Sequence, residues 1–293
     1  MSRADRLAKG IYWDRSWNPF TGCSPVGAGC DNCWARRMAA RLRGRCGYPA
    51  DEPFRPTFHP DRLSQVNSTQ KPQVIAVCFM SDPFHEAHQD KDILRMLYQA
   101  TRCPQHIFIA LTKRPERMAD ILDYYSNYSI PNLVGGVSVW DQPSADRMIS
   151  ILLEMNLATR IVSLEPCLGA VDIRKHLSLF SHQALFHRVN GVIMGGESGP
   201  GARPMHPDWA RSVRDHCQAA NVPFLFKQHG EYVEWDRDKW GAPSIYDCPW
   251  GALEPAMKRV GKKAAGRLLD GRMWDELPEV MNAPAGEKAL ETT

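Results

Sequence analysis

The sequence predicts an α/β protein built as a partial barrel of six or seven β/α units with an irregular C-terminal cap. Two observations carry this. Short apolar runs rich in Val, Ile and Phe recur along the chain, and segments of helical period lie between them. Strands alternating with helices imply a parallel sheet, and near-continuous apolar strands imply that both sheet faces are covered. Six or seven such units favour a barrel or partial barrel over a short open sheet, with a doubly wound sheet as the alternative.

The elements follow in order. Ile11–Trp17 reads as a first strand, followed by an insertion over residues 34–70 that begins as a basic helix (W-A-R-R-M-A-A-R-L-R-G-R) and passes into a stretch containing Pro49, Pro53, Pro56 and Pro60. The remaining strands are expected at Val74–Met80, Ile107–Leu111, Leu133–Val139, Arg160–Leu164, Gly191–Met194 and Pro223–Phe226. Helices are expected at Lys91–Thr101, Pro115–Tyr125, Ser144–Met155 and Pro207–Ala220. Residues 1–228 thus form the β/α domain. Residues 229–293 hold Trp235, Trp240, Trp250 and Trp274 among many Gly and Pro, with little regular period, and read as a cap over the barrel mouth or edge. A disordered tail is expected from Asn282.

Composition excludes more than it identifies. The 293 residues and 43% hydrophobic content suffice for one barrel-sized domain or two ordinary ones. A net charge of +3 is too small to mark a nucleic-acid binder, although it permits a local basic groove. No apolar stretch approaches the roughly 20 residues that span a bilayer, and the N-terminal residues lack the apolar core of a secretory signal, so no membrane partner and a cytoplasmic location are expected. Of the nine cysteines, Cys46, Cys78, Cys103, Cys167, Cys217 and Cys248 are scattered singly and read as free thiols.

The residues at the strand ends are polar and specific. Ser81 and Asp82 follow the second strand, and Thr112, Lys113 and Arg114 the third; Ser138 and Asp141 flank the end of the fourth. Glu165 follows the fifth, Gly195-Gly196-Glu197-Ser198 the sixth, and Lys227-Gln228-His229 the seventh. Parallel α/β folds bind ligands beyond the carboxyl ends of their strands, so these residues point to one convergent site; general loop polarity is the plainer alternative. Gly195 and Gly196 let a ligand approach the backbone, and Glu197 supplies an acceptor. The absence of G-x-G-x-x-G and G-x-x-x-x-G-K-[ST] argues against dinucleotide and P-loop binding.

Cys23, Cys30 and Cys33 form a C-x6-C-x2-C pattern in a glycine-rich loop. Three thiolates suit an iron–sulfur cluster or zinc, and leave one coordination position open. Structural zinc wants four ligands, with His59, His85 and His88 available as the fourth. The run H-E-A-H misses the H-E-x-x-H spacing, and its histidines read as loop or helix-cap residues. Iron–sulfur, zinc and purely structural thiols all stay open on these residues.

A three-cysteine loop after the first strand of a repeated β/α chain resembles the radical S-adenosylmethionine (SAM) enzymes. The spacing departs from theirs, with six residues instead of three between the first two cysteines, Asn32 where an aromatic residue usually stands, and Trp34 after the last cysteine. The blocks W-N-P-F-T-G-C, G-C-D-N-C-W-A-R-R-M-A, F-M-S-D-P-F-H, L-T-K-R-P, S-L-E-P, G-G-E-S-G-P-G-A-R-P, P-F-L-F-K-Q-H-G and G-K-K-A-A-G-R-L-L-D-G-R run from Trp17 to Arg272. Together they are similar to a phage and prophage-associated radical-SAM-like family.

The resemblance implies a radical-SAM-like partial (β/α)6-7 barrel with a [4Fe–4S] cluster on Cys23, Cys30 and Cys33. It implies S-adenosyl-L-methionine held by Trp34, Ser81, Asp82, Ser138, Gly195, Gly196 and Glu197, with Asp82 and Glu197 both open as acceptor for its amino group. Glu165, Glu197 and Lys227 would be catalytic, and Lys113 would join Glu165 and Lys227 in binding substrate groups; ordinary strand-end salt bridges are the alternative. The implied reaction takes one electron from an external reductant, generates a 5′-deoxyadenosyl radical and abstracts a substrate hydrogen. Phage context implies a DNA or nucleotide substrate in the host cytoplasm, such as an amino-acid-modified thymine rearranged by an isomerase or lyase. Such a base must be flipped or single-stranded, and Arg36, Arg37, Arg41, Arg43 and Arg45 would face phosphates or form a plain basic surface. A zinc-stabilised nucleic-acid-binding protein and a photoproduct-lyase-like DNA repair enzyme are the other readings.

Overall fold

Seven short strands line up in chain order and curl into half a barrel. The computed structural model describes residues 1–124, 130–177, 188–251 and 255–282. After helix α1 (Arg3–Leu7) come β1 (Arg15–Trp17) and β2 (Phe20–Thr21), then α2 (Trp34–Arg41) and β3 (Thr57–Phe58), which pairs antiparallel with β2. The repeat proper is β4 (Val74–Val77), α3 (Asp90–Thr101), β5 (Ile107–Thr112), α4 (Pro115–Tyr124), β6 (Leu133–Val139), α5 (Gln142–Glu154) and β7 (Thr159–Leu164). It continues through α6 (Arg174–Leu177), β8 (Gly191–Gly195), α7 (Pro207–Ala219) and β9 (Phe224–Gln228). The sheet order is β1-β4-β5-β6-β7-β8-β9, every neighbouring pair parallel. Successive strands lie side by side, so the crossovers all advance the same way and the helices collect on one face. The result is an α/β fold with a curled, parallel seven-stranded half-barrel.

Strand alternation sorts the core into two layers. Phe108, Val137, Val162, Met194 and Phe226 face outward and pack with Ile93, Met118, Met148 and Val213 of the flanking helices. Burying a side chain of this size contributes about 1.5–3 kcal/mol. Val74, Ile109, Val134, Ile161, Ile193 and Leu225 face the hollow side, where Tyr12, Leu277 and Met281 fill the lower half.

All seven predicted runs contain a strand, and the ends shift for local reasons. The first is only Arg15–Trp17, because Tyr12 leaves the sheet plane to join the inner core. The run expected to reach Met80 stops at Val77, since Cys78 takes a left-handed φ of 54° and its carbonyl accepts from Ser81 N in a tight turn. The helix expected from Ser144 begins two residues earlier, with Asp141 as N-cap and Ser144 completing a capping box. Tyr125, and the tail beyond Asn282, lie outside the described residues.

The C-terminal segment has more order than its composition suggests. It contains β10 (Tyr232–Glu234), α8 (Arg237–Trp240), β11 (Met257–Arg259), α9 (Lys262–Ala265) and α10 (Glu279–Asn282), with β10 antiparallel to β11. Residues 274–276 run antiparallel beside β9, through Phe226 N to Trp274 O at 2.9 Å and Glu276 N to Phe224 O at 3.2 Å. This covers an edge that would otherwise present unpaired backbone groups. The chain then reaches the floor, where Pro278 lies against Gly191 at the start of β8 and Arg3 donates to the Met281 carbonyl. Among the described residues no helix is long and apolar enough to cross a membrane.

Candidate functional site at the carboxyl ends of the strands

The upper half of the hollow face is built from small or polar residues. Gly136 and Ser138 of β6, Ser163 of β7 and Gly195 of β8 follow the apolar floor on the same side of the sheet, and Glu165 and Lys227 extend beyond them. A Cβ on Gly136 would come within 2.6 Å of the Ile161 carbonyl and 2.7 Å of Leu111, so only glycine fits there. Trp13 and Phe79 pack on the floor cluster beside Tyr12, with Trp13 and Phe79 centroids 5.1 Å apart, and Lys227 Nζ sits 5.8 Å from the Trp13 ring centre.

On the β4–β5 side, Asp82 is a fully used acceptor. Its Oδ1 takes hydrogen bonds from Phe84 N at 3.0 Å and Thr112 Oγ1 at 2.8 Å, and its Oδ2 from Lys113 N at 3.0 Å and Arg114 Nη1 at 3.3 Å. Arg114 also donates to Glu86 at 2.7 Å, to the Ser24 carbonyl and hydroxyl at 3.1 Å each, and to Cys23 Sγ at 3.6 Å. Ser81 donates to the Gly22 carbonyl at 2.5 Å. These bonds lock the cysteine loop onto the ends of β4 and β5.

On the β7–β9 side, Glu197 is 6% exposed and accepts from Asn32 Nδ2, Arg203 N and Arg203 Nε, each at 2.9 Å, and from Arg203 Nη2 at 2.7 Å. Burial alone would raise its pKa, but the bonds from Arg203 and Asn32 outweigh it and hold the carboxyl below its ordinary value. Glu165 receives Lys227 Nζ at 2.8 Å. Lys262 lies near both; burial and the Lys227 charge push its pKa down, with Glu165 and Glu231 opposing. Gly196 is required where it stands, since a Cβ there would lie 2.1 Å from the His229 carbonyl oxygen.

The structure thus gathers Ser81, Asp82, Ser138, Glu165, Gly195, Gly196, Glu197 and Lys227 at one edge of the sheet, and leaves Trp34 outside it, 51% exposed at the start of α2. Arg203, Asn32 and Lys262 are additions. Arg203 reaches Glu197 from six residues on and Asn32 from 165 residues away, and a short spacing such as the former is the only sign a sequence carries of such a contact. His85 and His88 lie in the loop between β4 and α3 and are buried there: His85 Nε2 accepts from Ser24 N at 3.2 Å, and the His88 ring lies 4.2 Å from Phe20.

The three cysteines do not form a metal-holding group. Cys33 packs with Ala35, Ala39, Tyr48 and Met80 under α2, while Cys23 Sγ lies against the Ser24 carbonyl and Arg114. Burial, with Asp82 nearby, pushes the Cys23 thiol up to about 11 against the pull of Arg114, so it is protonated at neutral pH. The glycines of the loop have a packing reason: a Cβ on Gly27 or Gly29 would lie 2.6 or 2.9 Å from the Trp140 ring. Among the described residues no group of three or more His, Cys, Asp or Glu is placed to hold a metal ion.

A hollow of about 660 Å³ lies between the starts of α5 and α7 and Trp250. Its charges are paired internally, Asp172 with Arg174 at 2.5 Å and Asp208 with Arg211 at 2.7 Å, and the rings of Trp209 and Trp250 pack on each other at 5.4 Å.

Fold and site together define an α/β half-barrel protein with a polar strand-end edge. The chain belongs to the family described as protein of unknown function (DUF5131), which it matches over residues 8–278. No curated protein and no solved structure matches it. The assignment to a radical-SAM-like phage family is therefore corrected. With Cys23, Cys30 and Cys33 not grouped as ligands, neither a [4Fe–4S] cluster nor S-adenosylmethionine on a cluster iron is supported, and the radical isomerase or lyase reaction loses its basis. The zinc-stabilised protein meets the same objection, and the photoproduct-lyase-like enzyme falls with the radical chemistry.

Proposed function

We propose that the chain binds a nucleotide-class ligand, a planar ring carrying an anionic group, at the carboxyl ends of β4 to β9. The carrying observation is the charge left over at that edge. Asp82, Glu165 and Glu197 are each taken up by a cation of the protein, Arg114, Lys227 and Arg203 respectively, whereas Lys113 and Lys262 make no ion pair with any described residue. The surplus at the rim is cationic, and an anion there offsets the Lys227 charge that, after burial, pushes the Lys262 pKa down. The partly buried Trp13 and Phe79 beside Lys227 supply apolar surface for a ring, while Ser138 and Ser163 supply hydroxyls to orient it.

Calorimetric titration with AMP, inorganic phosphate and adenosine tests this. AMP binds more tightly than either component. The double variant Lys113→Gln, Lys262→Gln weakens AMP by about tenfold or more, since hydrogen bonds to charged groups contribute roughly 1.5–3 kcal/mol, and adenosine changes little. Adenosine binding as tightly as AMP, or no heat from any of the three, overturns the proposal.

A further inference from the structure

We infer that the exposed arginine face of α2 and the turn after it is a binding surface for single-stranded nucleic acid. Residues 34–48 contain five arginines and no acidic residue. Arg36, Arg41, Arg43 and Arg45 are exposed, and none makes an ion pair with a described residue. Of the carboxylates that flank this stretch in sequence, Asp51 pairs with Arg55 at 3.0 Å and Asp31 with Arg203 at 3.1 Å, and Glu52 makes no ion pair with a described residue. The contacts these arginines do make orient them without neutralising them: Arg43 donates to the Ala50 carbonyl at 2.8 Å, Arg45 to the Arg41 carbonyl at 2.5 Å, and Arg36 lies 5.8 Å from the centre of the Phe54 ring. Each guanidinium keeps spare donors in the fork that fits a phosphate.

The same surface carries an aromatic platform. Trp34, Met38 and Arg41 stand at i, i+4 and i+7 of α2, hence on one face, with Trp34 51% and Met38 36% exposed. An open indole beside guanidiniums is the arrangement on which unpaired bases stack while phosphates are held, which favours a single strand over a duplex. A lipid surface fits less well. The helix has only eight residues, and of its other apolar residues Ala35 and Ala39 are buried against Tyr48 and Met80 while Ala40 is exposed but small, so Trp34 and Met38 alone would have to enter a bilayer.

The surface adjoins the strand-end edge, because Arg37 donates to the Ser198 and Pro200 carbonyls at 3.0 Å each, fastening α2 to the loop that carries Glu197. It lies outside the nucleotide site and does not depend on it.

Fluorescence anisotropy of the full chain with a labelled oligothymidylate of about 20 nucleotides, a duplex of equal length and vesicles rich in phosphatidylserine tests the inference at about 50 to 300 mM salt. The single strand binds best, and log affinity against log salt has a slope of about −3, four phosphates at about 0.7 each. Arg41→Glu, at an exposed side chain with no internal bond to lose, weakens binding by about fivefold or more, and the Gln variant of Arg36, Arg41, Arg43 and Arg45 flattens the slope. Trp34→Ala weakens binding with the slope unchanged. The double variant Lys113→Gln, Lys262→Gln keeps strand affinity within about twofold, which separates this surface from the nucleotide site. No oligonucleotide binding at low salt, an unchanged Arg41→Glu, tighter duplex binding or binding to vesicles alone overturns it.

Discussion

Arg114 joins four pieces of chain with one side chain: the turn after β4 through Asp82, the Glu86 carboxylate, the cysteine loop through Ser24, and the turn from β5 into α4, in which it sits. It is 6% exposed, so removing it leaves Asp82 as a buried, under-compensated carboxylate. Arg114→Ala is expected to cost about 3–5 kcal/mol in urea unfolding, and a loss below about 1 kcal/mol would show the network to be incidental. His88 sets a pH dependence. Burial first, then the charges of His85 and Arg114, depress its pKa from 6.5 to about 4. A depressed folded-state pKa means stability that is present above pH 6.5 and is lost as pH falls toward about 4. The melting temperature should fall across that window, and His88→Gln should remove on the order of 2 kcal/mol of the fall; parallel curves for the two proteins would contradict this. Asp82 and Glu197 were legible as strand-end carboxylates. What each does was not, because Glu197 is paired by Arg203 and Asn32, and Asn32 stands 165 positions away. The cysteine triad was legible as a pattern and misleading as chemistry, since spacing cannot show that Cys33 turns under α2 while Cys23 turns toward Arg114.

The β/α repeat was readable because each unit is local: a buried apolar run, a polar end, then a helix with an apolar stripe, as in β5 with α4 or β6 with α5. Strand ends were less readable where a single backbone angle decides them, as at Cys78. The β8–β9 junction leaves no room for a side chain, and Gly196→Ala should force those strand ends apart. A loss of about 2 kcal/mol or more is expected, as for overpacking against fixed backbone, together with loss of AMP binding. A variant as stable as the parent would show that the 2.1 Å approach to the His229 carbonyl relaxes freely. The C-terminal segment was read as irregular because its order is borrowed. Residues 274–276 are extended only because β9 offers an edge, and Leu277 and Met281 are buried only because the floor needs filling.

In the molecule as a whole, one end of the half-barrel is closed and the other is equipped. Leu277, Met281 and Tyr12 seal the floor with apolar atoms, and the opposite end collects serines, glycines, three internally paired carboxylates and two lysines without ion pairs. That division follows from parallel strands, which bring all their carboxyl ends to one side. The parallel order and the side on which the strand ends collect were therefore readable from strand and helix order, whereas the curl was not, since the same order fits a doubly wound sheet. The surplus charge was not, since it depends on which lysine finds a partner in three dimensions. Nuclear magnetic resonance titration of the full chain with AMP, following backbone amides and lysine side chains, addresses the account most directly. It predicts saturable shifts at Lys113, Ser138, Ser163, Gly195, Lys227 and Lys262, lost in the Lys113→Gln, Lys262→Gln protein; shifts confined to the hollow at Trp209 and Trp250, or no shifts, would contradict it.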